Sequence, residues 1–262
     1  MTGVIGLVIL LSMIIYGGRW GVTFLALLGC FGALFEYFTM LFALREGALQ
    51  KIVSIVAGYA LSVLIIFRSD FLYEGVSIVF ILYFLFYLSL STLYAGNHQK
   101  LFSDLAGSLV GIFYVGFLFS FWPKIRELPL GVYWIFLIFL IPWVSDTAAY
   151  FIGRSLGKHP LAPAISPKKT VEGALGGIIF AVIGVVLYKS FFFKALTLTD
   201  CVLLGGLGSI IGQLGDLFES FLKRAFGVKD SGVVIPGHGG ILDRFDSVLF
   251  SAPLIYFYAL IS

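Results

Sequence analysis

The 262-residue chain is 60% hydrophobic and 12% charged, whereas soluble domains carry about 25% charged residues. This composition excludes an ordinary soluble domain and predicts an all-α, polytopic integral membrane protein. The net charge of +3 is too small and too local for a nucleic-acid-binding protein, and the two cysteines identify neither a disulfide nor a metal site.

Nine apolar runs separated by short polar breaks predict nine transmembrane helices. Several runs are shorter than the ~20 residues that cross ~30 Å of hydrocarbon, so tilted or broken helices are expected. The first run lacks a basic leading region and a small-residue cleavage site, and we interpret it as a membrane helix rather than a removable signal. The approximate limits are 2–16, 20–44, 52–67, 76–97, 105–122, 132–152, 173–193, 201–218 and 246–262.

Basic residues are divided unequally between the two faces that nine spans define. Eleven of the seventeen lysines and arginines share a face with the N-terminus, and six lie on the other face. The positive-inside rule makes the first face cytoplasmic, so the N-terminus is predicted inside and the C-terminus outside. The expected location is the inner membrane of a bacterium.

Two polar segments, 146–172 and 216–246, both fall on the predicted cytoplasmic face. They hold nearly all the residues that can carry chemistry. The chain is therefore predicted to divide into a transmembrane scaffold region, 1–131, and a catalytic transmembrane region, 132–262, with two cytoplasmic polar loops. The scaffold region can also supply lipid contacts or the surface of a homo-oligomer.

Two carboxylates lie inside apolar runs. Asp146 follows IPWVS, and intramembrane carboxylates are costly and usually face a wet cavity, so a metal or substrate role is favoured over simple exposure to headgroups. Glu36 lies in GALFEYFTM, where a partner such as a tyrosine hydroxyl from another helix is as good an explanation as a functional role. Glu36 is therefore not placed in the predicted site.

Two further pairs of carboxylates are spaced three residues apart. Asp216 and Glu219 share a helical face, and Asp243 and Asp246 repeat the spacing. Four carboxylates from two helix ends can hold Mg²⁺, which prefers oxygen ligands. The alternative is that Glu219 or Asp243 only anchors a nearby arginine, Arg224 or Arg244, in a structural ion pair.

A compact polar cluster, 165–173, precedes the seventh span. Pro167 favours an extended or turn geometry, and Thr170 or Ser166 can cap the following helix, whose N-terminus is a ready anion site. Lys168 and Lys169 add positive charge that suits a triphosphate or a lipid phosphate. The alternative is an anchor on anionic headgroups, an interpretation that fits Arg154 and Lys158 better than the two lysines of the cluster.

Glycines surround the single histidine of the second polar segment, His238. They permit backbone shapes and close approaches that other residues do not, and His238 can donate a proton or a hydrogen bond to a phosphate. A purely structural histidine is the alternative. Four cations nearby can bind a polyphosphate, although at least one is expected only to flank the membrane: Lys223, Arg224, Lys229 and Arg244.

Two G-x-x-x-G patterns, Gly173/Gly177 and Gly208/Gly212, are predicted to allow close helix packing.

The polar residues of the second half form a long pattern with fixed spacing. It reads Ser220-x-x-Lys223-Arg224-x4-Lys229-Asp230-x-Gly232, then Pro236-Gly237-His238-Gly239-Gly240-x-x-Asp243-Arg244-x-Asp246. This pattern resembles the signature of the phosphatidate cytidylyltransferases (CDP-diacylglycerol synthases). Ser145-Asp146-Thr147 and Ser166-Pro167-Lys168-Lys169-Thr170-x-Glu172-Gly173 also resemble that family, so the resemblance covers roughly 143–250.

The resemblance implies an integral membrane enzyme that joins CTP and phosphatidic acid from the bilayer into CDP-diacylglycerol and pyrophosphate, with Mg²⁺ and for phospholipid synthesis. It implies contacts with membrane lipids and none with nucleic acid. Under this hypothesis the metal ligands are Asp146, Asp216 and Asp246. The catalytic residues are Asp246, Asp216, Lys223, Arg224 and His238. The substrate-binding residues are Lys168, Lys169, Ser166, Thr170, Arg244, Gly237, Gly239 and Gly240.

Two other functions remain open on the residues alone. A CTP-dependent lipid kinase would break CTP at its γ-phosphate. An ion- or proton-coupled transporter would use the buried carboxylates as ligands, but it explains poorly why the polar groups gather on one face rather than at the membrane midplane.

Overall fold

The computed structural model describes residues 10–43, 47–67, 72–93, 98–232 and 239–262. Within these ranges, eight helical stretches are long and apolar enough to cross a membrane. The prediction of an all-helical polytopic membrane protein is confirmed. Residues 10–15 are helical as well, but most of the predicted first span, 2–16, lies outside the described residues.

Each of the other eight predicted spans corresponds to one of these stretches. The first three are α1 (Gly18–Phe42), α2 (Ala48–Phe67) and α3 (Leu72–Leu93). The fourth stretch, His98–Glu127, consists of α4 (His98–Gly111), a π-helical segment (Ile112–Phe117) and α5 (Phe121–Glu127). The last four are α6 (Gly131–Leu156), α7 (Val171–Phe191), α8 (Leu198–Ala225) and α9 (Leu242–Ile261).

Helix α8 continues to Ala225, whereas the sequence predicts a span that ends at 218. Hydropathy falls at Lys223 and Arg224, but charged residues do not by themselves end a helix. Cations are favourable in the last turn because they lie at the negative end of the helix dipole. Asp216, Glu219 and Lys223 therefore stand on one continuous helix rather than in a loop.

The chain forms two compact units. The first contains Met1–Pro123 and Asp230–Leu242, and the second contains Lys124–Lys229 and Asp243–Ser262. In the first unit, the hydroxyl of Tyr37 on α1 donates a hydrogen bond to the carbonyl oxygen of Gly107, 2.8 Å away. The predicted functional division into 1–131 and 132–262 stays a prediction.

In the second unit, glycines allow α6, α7 and α8 to approach closely. A Cβ atom on Gly173 of α7 would lie 2.7 Å from the carbonyl oxygen of Ala149 on α6. A Cβ on Gly208 of α8 would lie 3.1 Å from a methyl carbon of Ile141. Helix packing therefore accounts for both G-x-x-x-G patterns.

A short antiparallel hairpin joins α6 to α7. Strand β1 (Pro160–Ala162) pairs with β2 (Ser166–Thr170), so Pro167 has the extended geometry that the sequence predicts. Thr170 caps α7, because its hydroxyl oxygen accepts a hydrogen bond from the backbone N–H of Gly173 at 3.1 Å. Ser166, the other predicted cap, pairs instead with Ala162 in the hairpin.

Candidate active site

The second unit contains a cavity of about 690 Å³. Its polar lining comes from three helices, α6, α8 and α9, and from the hairpin, while α7 contributes Gly173 and Ala174. The polar lining residues are Asp146, Tyr150, Arg154, Lys168, Lys169, Thr170, Gln213, Asp216, Lys223, Asp243 and Asp246.

Three aspartates from three helices meet at this cavity. Asp146 projects from α6, Asp216 from α8 and Asp246 from α9, and the three carboxylates are near enough to repel one another electrostatically. Cations, a metal ion or protonation of a carboxylate can offset such repulsion. The three predicted metal ligands therefore line one cavity, and their role as metal ligands stays a prediction.

One of these aspartates already has a cationic partner. The ammonium group of Lys169, on β2, forms an ion pair with Asp216, and both side chains are about one-quarter exposed. Lys168, the residue before it, also lines the cavity. The two lysines lie on the hairpin, immediately before the N-terminus of α7, and line the same cavity as the aspartates.

Lys223 lies between two other carboxylates. Its Nζ atom is 2.7 Å from Oδ1 of Asp243 and also forms an ion pair with Glu219, whose side chain is only 1% exposed. Glu219 and Asp243 thus form the structural ion pair considered as the alternative to metal binding, but with Lys223 rather than an arginine. A phosphate-binding role for Lys223 stays a prediction.

The two arginines of the predicted site do not line the cavity in the described structure. Arg224 donates hydrogen bonds to the carbonyl oxygens of Ile165, at 3.4 Å, and Val228, at 3.2 Å. It thereby links the hairpin turn to the segment that follows α8. Arg244 lies in the first turns of α9. Their proposed contacts with substrate stay predictions.

The remaining predicted site residues fall into three groups. Thr170 lines the cavity, whereas Ser166 is part of the hairpin and is not among the described lining residues. Gly239 and Gly240 belong to the first unit. Gly237 and His238 lie outside the described residues.

The cavity includes polar residues that the sequence interpretation did not place there. Arg154, predicted to be a headgroup anchor, lines it together with Tyr150, to whose hydroxyl it donates a hydrogen bond of 3.1 Å. The four-residue steps from Asp146 to Tyr150 to Arg154 would have shown that these side chains share one helical face. Gln213 lies three residues before Asp216, and its amide donates to the carbonyl oxygen of Ala174 at 3.1 Å.

Glu36 is hydrogen-bonded, as the structural alternative requires, but to partners other than a tyrosine hydroxyl. Its carboxylate accepts hydrogen bonds from the backbone N–H groups of Ile241 and Leu242, both at 2.9 Å, and from the hydroxyl of Ser231 at 3.2 Å. These partners belong to the second polar segment and to the same compact unit as Glu36.

Comparison with known proteins identifies the family. A family model described as the cytidylyltransferase family matches residues 1–262. The chain belongs to the cytidylyltransferase family. The match therefore also covers the first half of the chain, which lies outside the motif resemblance over roughly 143–250.

Individual cytidylyltransferases are similar over almost the whole chain. The phosphatidate cytidylyltransferase of Staphylococcus haemolyticus strain JCSC1435 is 38% identical over 261 residues, which are 97% of this chain and 95% of that protein. The protein of the same name from Staphylococcus epidermidis strain RP62A is 37% identical over the same length. That of Staphylococcus aureus strain COL is 44% identical over 171 residues, 64% of each chain. The resemblance to phosphatidate cytidylyltransferases is thus confirmed.

The residues at the cavity of this cytidylyltransferase have the oxygen donors that suit a magnesium ion, but they are not arranged as a ready-made metal site. Among the described residues, no group of three or more histidine, cysteine, aspartate or glutamate side chains is spaced to hold a metal ion. The three cavity aspartates nevertheless supply only oxygen donors, the set that Mg²⁺ prefers, and Lys169 already holds a positive charge against one of them.

Proposed function

We propose that the chain is a membrane enzyme that transfers the cytidylyl group of CTP to phosphatidate, giving CDP-diacylglycerol and pyrophosphate for phospholipid synthesis. The observation that carries the proposal is the meeting of Asp146, Asp216 and Asp246 with Lys168 and Lys169 in one cavity. The similarity to enzymes named phosphatidate cytidylyltransferase over 97% of the chain supports the same activity.

The size and charge of the cavity suit the polar parts of the substrates. Its volume of about 690 Å³ lies within the ~300–1,000 Å³ of typical ligand pockets. Lys168 and Lys169 on β2 and Arg154 on α6 provide cations for phosphate oxygens. The N-terminus of α7 follows the two lysines directly and adds the partial positive charge of its backbone N–H groups.

The reaction needs positioning more than acid–base catalysis. A phosphomonoester has a second pKa of about 6, so phosphatidate is already largely a dianion at neutral pH. One of its phosphate oxygens forms a bond to the α-phosphorus of CTP, and the bond from that phosphorus to the oxygen bridging the β-phosphate breaks. The electron pair leaves with pyrophosphate, so no strong general base is required.

The main barrier is electrostatic, because two anions, phosphatidate and CTP, must approach each other. In addition, negative charge builds up on the pyrophosphate as it leaves. The lysines and Arg154 hold phosphate oxygens in place, and preorganised charges of this kind lower the barrier without rearranging during the reaction. Asp146, Asp216 and Asp246 would hold Mg²⁺, which would neutralise phosphate charge when bound. Thr170 and the hairpin keep the two lysines beside the aspartates.

Labelled CTP tests the proposed reaction. Purified protein in detergent is incubated with phosphatidic acid, Mg²⁺ and CTP labelled at either the α- or the γ-phosphate, and the label in extracted lipid is counted. We expect α-label in the lipid, pyrophosphate in equal amount, and loss of transfer with a chelator. Label from the γ-position would indicate a lipid kinase instead. No transfer, together with ion flux in liposomes, would indicate a transporter.

A further inference from the structure

Glu36 is a buried carboxylate that the proposed chemistry does not use. It lies in the C-terminal half of α1 and is 2% exposed. An ionised carboxylate in an apolar interior is strongly destabilising unless it is paired or hydrogen-bonded. Three hydrogen bonds compensate this one, and all three donors come from the second polar segment, about 200 residues further along the chain.

Two glycines make room for this carboxylate. A Cβ atom on Gly232 would lie 2.7 Å from one oxygen of Glu36, and a Cβ on Gly240 would overlap the hydroxyl of Ser231 and lie 2.5 Å from the other oxygen. Only glycine allows the backbone to approach so closely at both positions. Glu36 therefore joins two stretches, 231–232 and 240–242, that lie on either side of the glycine-histidine sequence.

The same contact fixes the beginning of α9. This helix starts at Leu242, and the first N–H groups of a helix have no partner within the helix. Glu36 accepts from the N–H groups of Ile241 and Leu242, and its negative charge is favourable at the positive end of the helix dipole. Asp243 and Asp246 follow in the first turns of that helix.

We propose that Glu36 is a positioning residue for cytidylyl transfer: it holds the backbone at the start of α9, the helix that carries Asp243 and Asp246. The inference rests on the proposed function, which assigns Asp246 to the reaction. Glu36 is not among the described residues that line the cavity, and under this proposal it acts through the backbone that it holds. Loss of this contact should reduce the reaction rate more than it reduces nucleotide binding.

Glu36→Gln tests the proposal, because the amide replaces one acceptor oxygen with an N–H₂ group that faces backbone donors. Hydrogen exchange of the purified variant should be at least about tenfold faster in the peptide that begins α9, in line with the loss of a hydrogen bond to a charged group. Its kcat for cytidylyl transfer should fall by at least about tenfold while KM for CTP stays within about twofold, since only transition-state stabilisation is lost.

Asp104→Asn is the matched control, because Asp104 is a second buried carboxylate of the same unit, 4% exposed and located on α4. It should leave both kcat and exchange at the start of α9 within about twofold of wild type. If Glu36→Gln does not fold, Gly240→Ala disturbs the same contact and keeps the carboxylate. It is compared with Gly206→Ala, whose added Cβ would meet no atom within 4 Å.

Three results would overturn the proposal: unchanged exchange at α9 in Glu36→Gln and Gly240→Ala, normal kcat despite faster exchange there, or equal losses in Asp104→Asn. The last would indicate general destabilisation of the unit. If the wild-type protein transfers no α-label, the proposed function and the positioning role of Glu36 are both overturned. In contrast, failure of the positioning role alone leaves wild-type transfer intact.

Discussion

Four acidic and four basic side chains line the cavity, so its formal charge is balanced. A triphosphate entering it would add several negative charges that the lining alone does not offset. The proposed Mg²⁺ at the three aspartates would supply positive charge to offset those of the triphosphate. The acidic residues are Asp146, Asp216, Asp243 and Asp246, and the basic residues are Arg154, Lys168, Lys169 and Lys223.

Removing the charge of Asp246 should damage the reaction far more than the fold. Asp246→Asn keeps the size of the side chain and most of its hydrogen bonding. Loss of one preorganised charge-stabilising contact commonly reduces the rate by about 10²–10³, and we expect an effect of that size on kcat. Residual activity should require more Mg²⁺ than wild type. The measurements are α-label transfer at several Mg²⁺ concentrations and elution from a size-exclusion column.

Asp200→Asn provides the control for Asp246→Asn. Asp200 lies at the opposite end of the helix that carries Asp216, where its carboxylate accepts from the backbone N–H of Thr197 at 2.6 Å. Its loss should lower stability by about 1 kcal/mol, as for other helix caps, without a large change in kcat. Near-normal activity of Asp246→Asn at limiting Mg²⁺ would show that Asp246 is not a metal ligand, and the assignment would move to Asp146 and Asp243.

A double substitution separates the two possible roles of Lys223. Lys223→Met leaves Glu219 buried and unpaired, and breaking a buried ion pair in this way commonly costs about 3–5 kcal/mol. Adding Glu219→Gln removes the stranded charge, so the double variant should regain much of the thermal stability. If Lys223 also binds phosphate, the double variant should remain nearly inactive. Recovery of both stability and α-label transfer would mean that Lys223 serves only the ion pair.

At the scale of elements, the packing of α7 against α6 should tolerate no side chain at Gly173. Gly173→Leu places a Cβ atom 2.7 Å from the carbonyl oxygen of Ala149, so the two helices must move apart. Overpacking of this kind commonly costs about 1–3 kcal/mol, and we expect a lower Tm. Gly206→Leu on α8, where a Cβ meets no atom within 4 Å, should change Tm little. Equal Tm values for the two variants would contradict the close-packing explanation.

The sequence predicts the spans well because the bilayer demands long apolar runs, but it predicts their ends less well. Helix α8 runs past its predicted end since hydropathy records where charges begin, not where backbone hydrogen bonding stops. Asp146, Asp216 and Asp246 are assigned to one metal site by the family resemblance, and all three belong to polar segments that the span count puts on one membrane face. Arg154 was placed elsewhere because a cation near a helix end suits a headgroup equally well.

Glu36 illustrates what a single sequence does not show. Two of its three described partners are backbone N–H groups 205 and 206 residues away, and every residue except proline carries such a group. The third partner is the hydroxyl of Ser231, and serine is too common a residue to mark the contact. Gly232 and Gly240 are equally consistent with a ligand that approaches the backbone.

At the scale of the whole molecule, membrane topology determines whether the site faces the compartment that contains CTP. Two candidate spans, α7 and α8, lie between Ser155 and Lys229, so both residues should be on one face. Lys194, between these spans, should be on the other face. All three side chains are exposed and are therefore suitable positions for cysteine labelling. Ser231 is unsuitable because it is buried and bonded to Glu36.

We predict that Ser155→Cys and Lys229→Cys face the cytoplasm, following the excess of basic residues on that face. In a background without the buried Cys30 and Cys201, both should resist an impermeant thiol reagent in intact cells and react after permeabilisation. Lys194→Cys should react in intact cells. The reverse pattern at all three positions would invert the orientation while keeping the site on one face. A third outcome is that only one of Ser155→Cys and Lys229→Cys reacts in intact cells. In that case α7 and α8 do not both cross the membrane. The arrangement that brings Asp146 and Asp216 to one face would then be wrong.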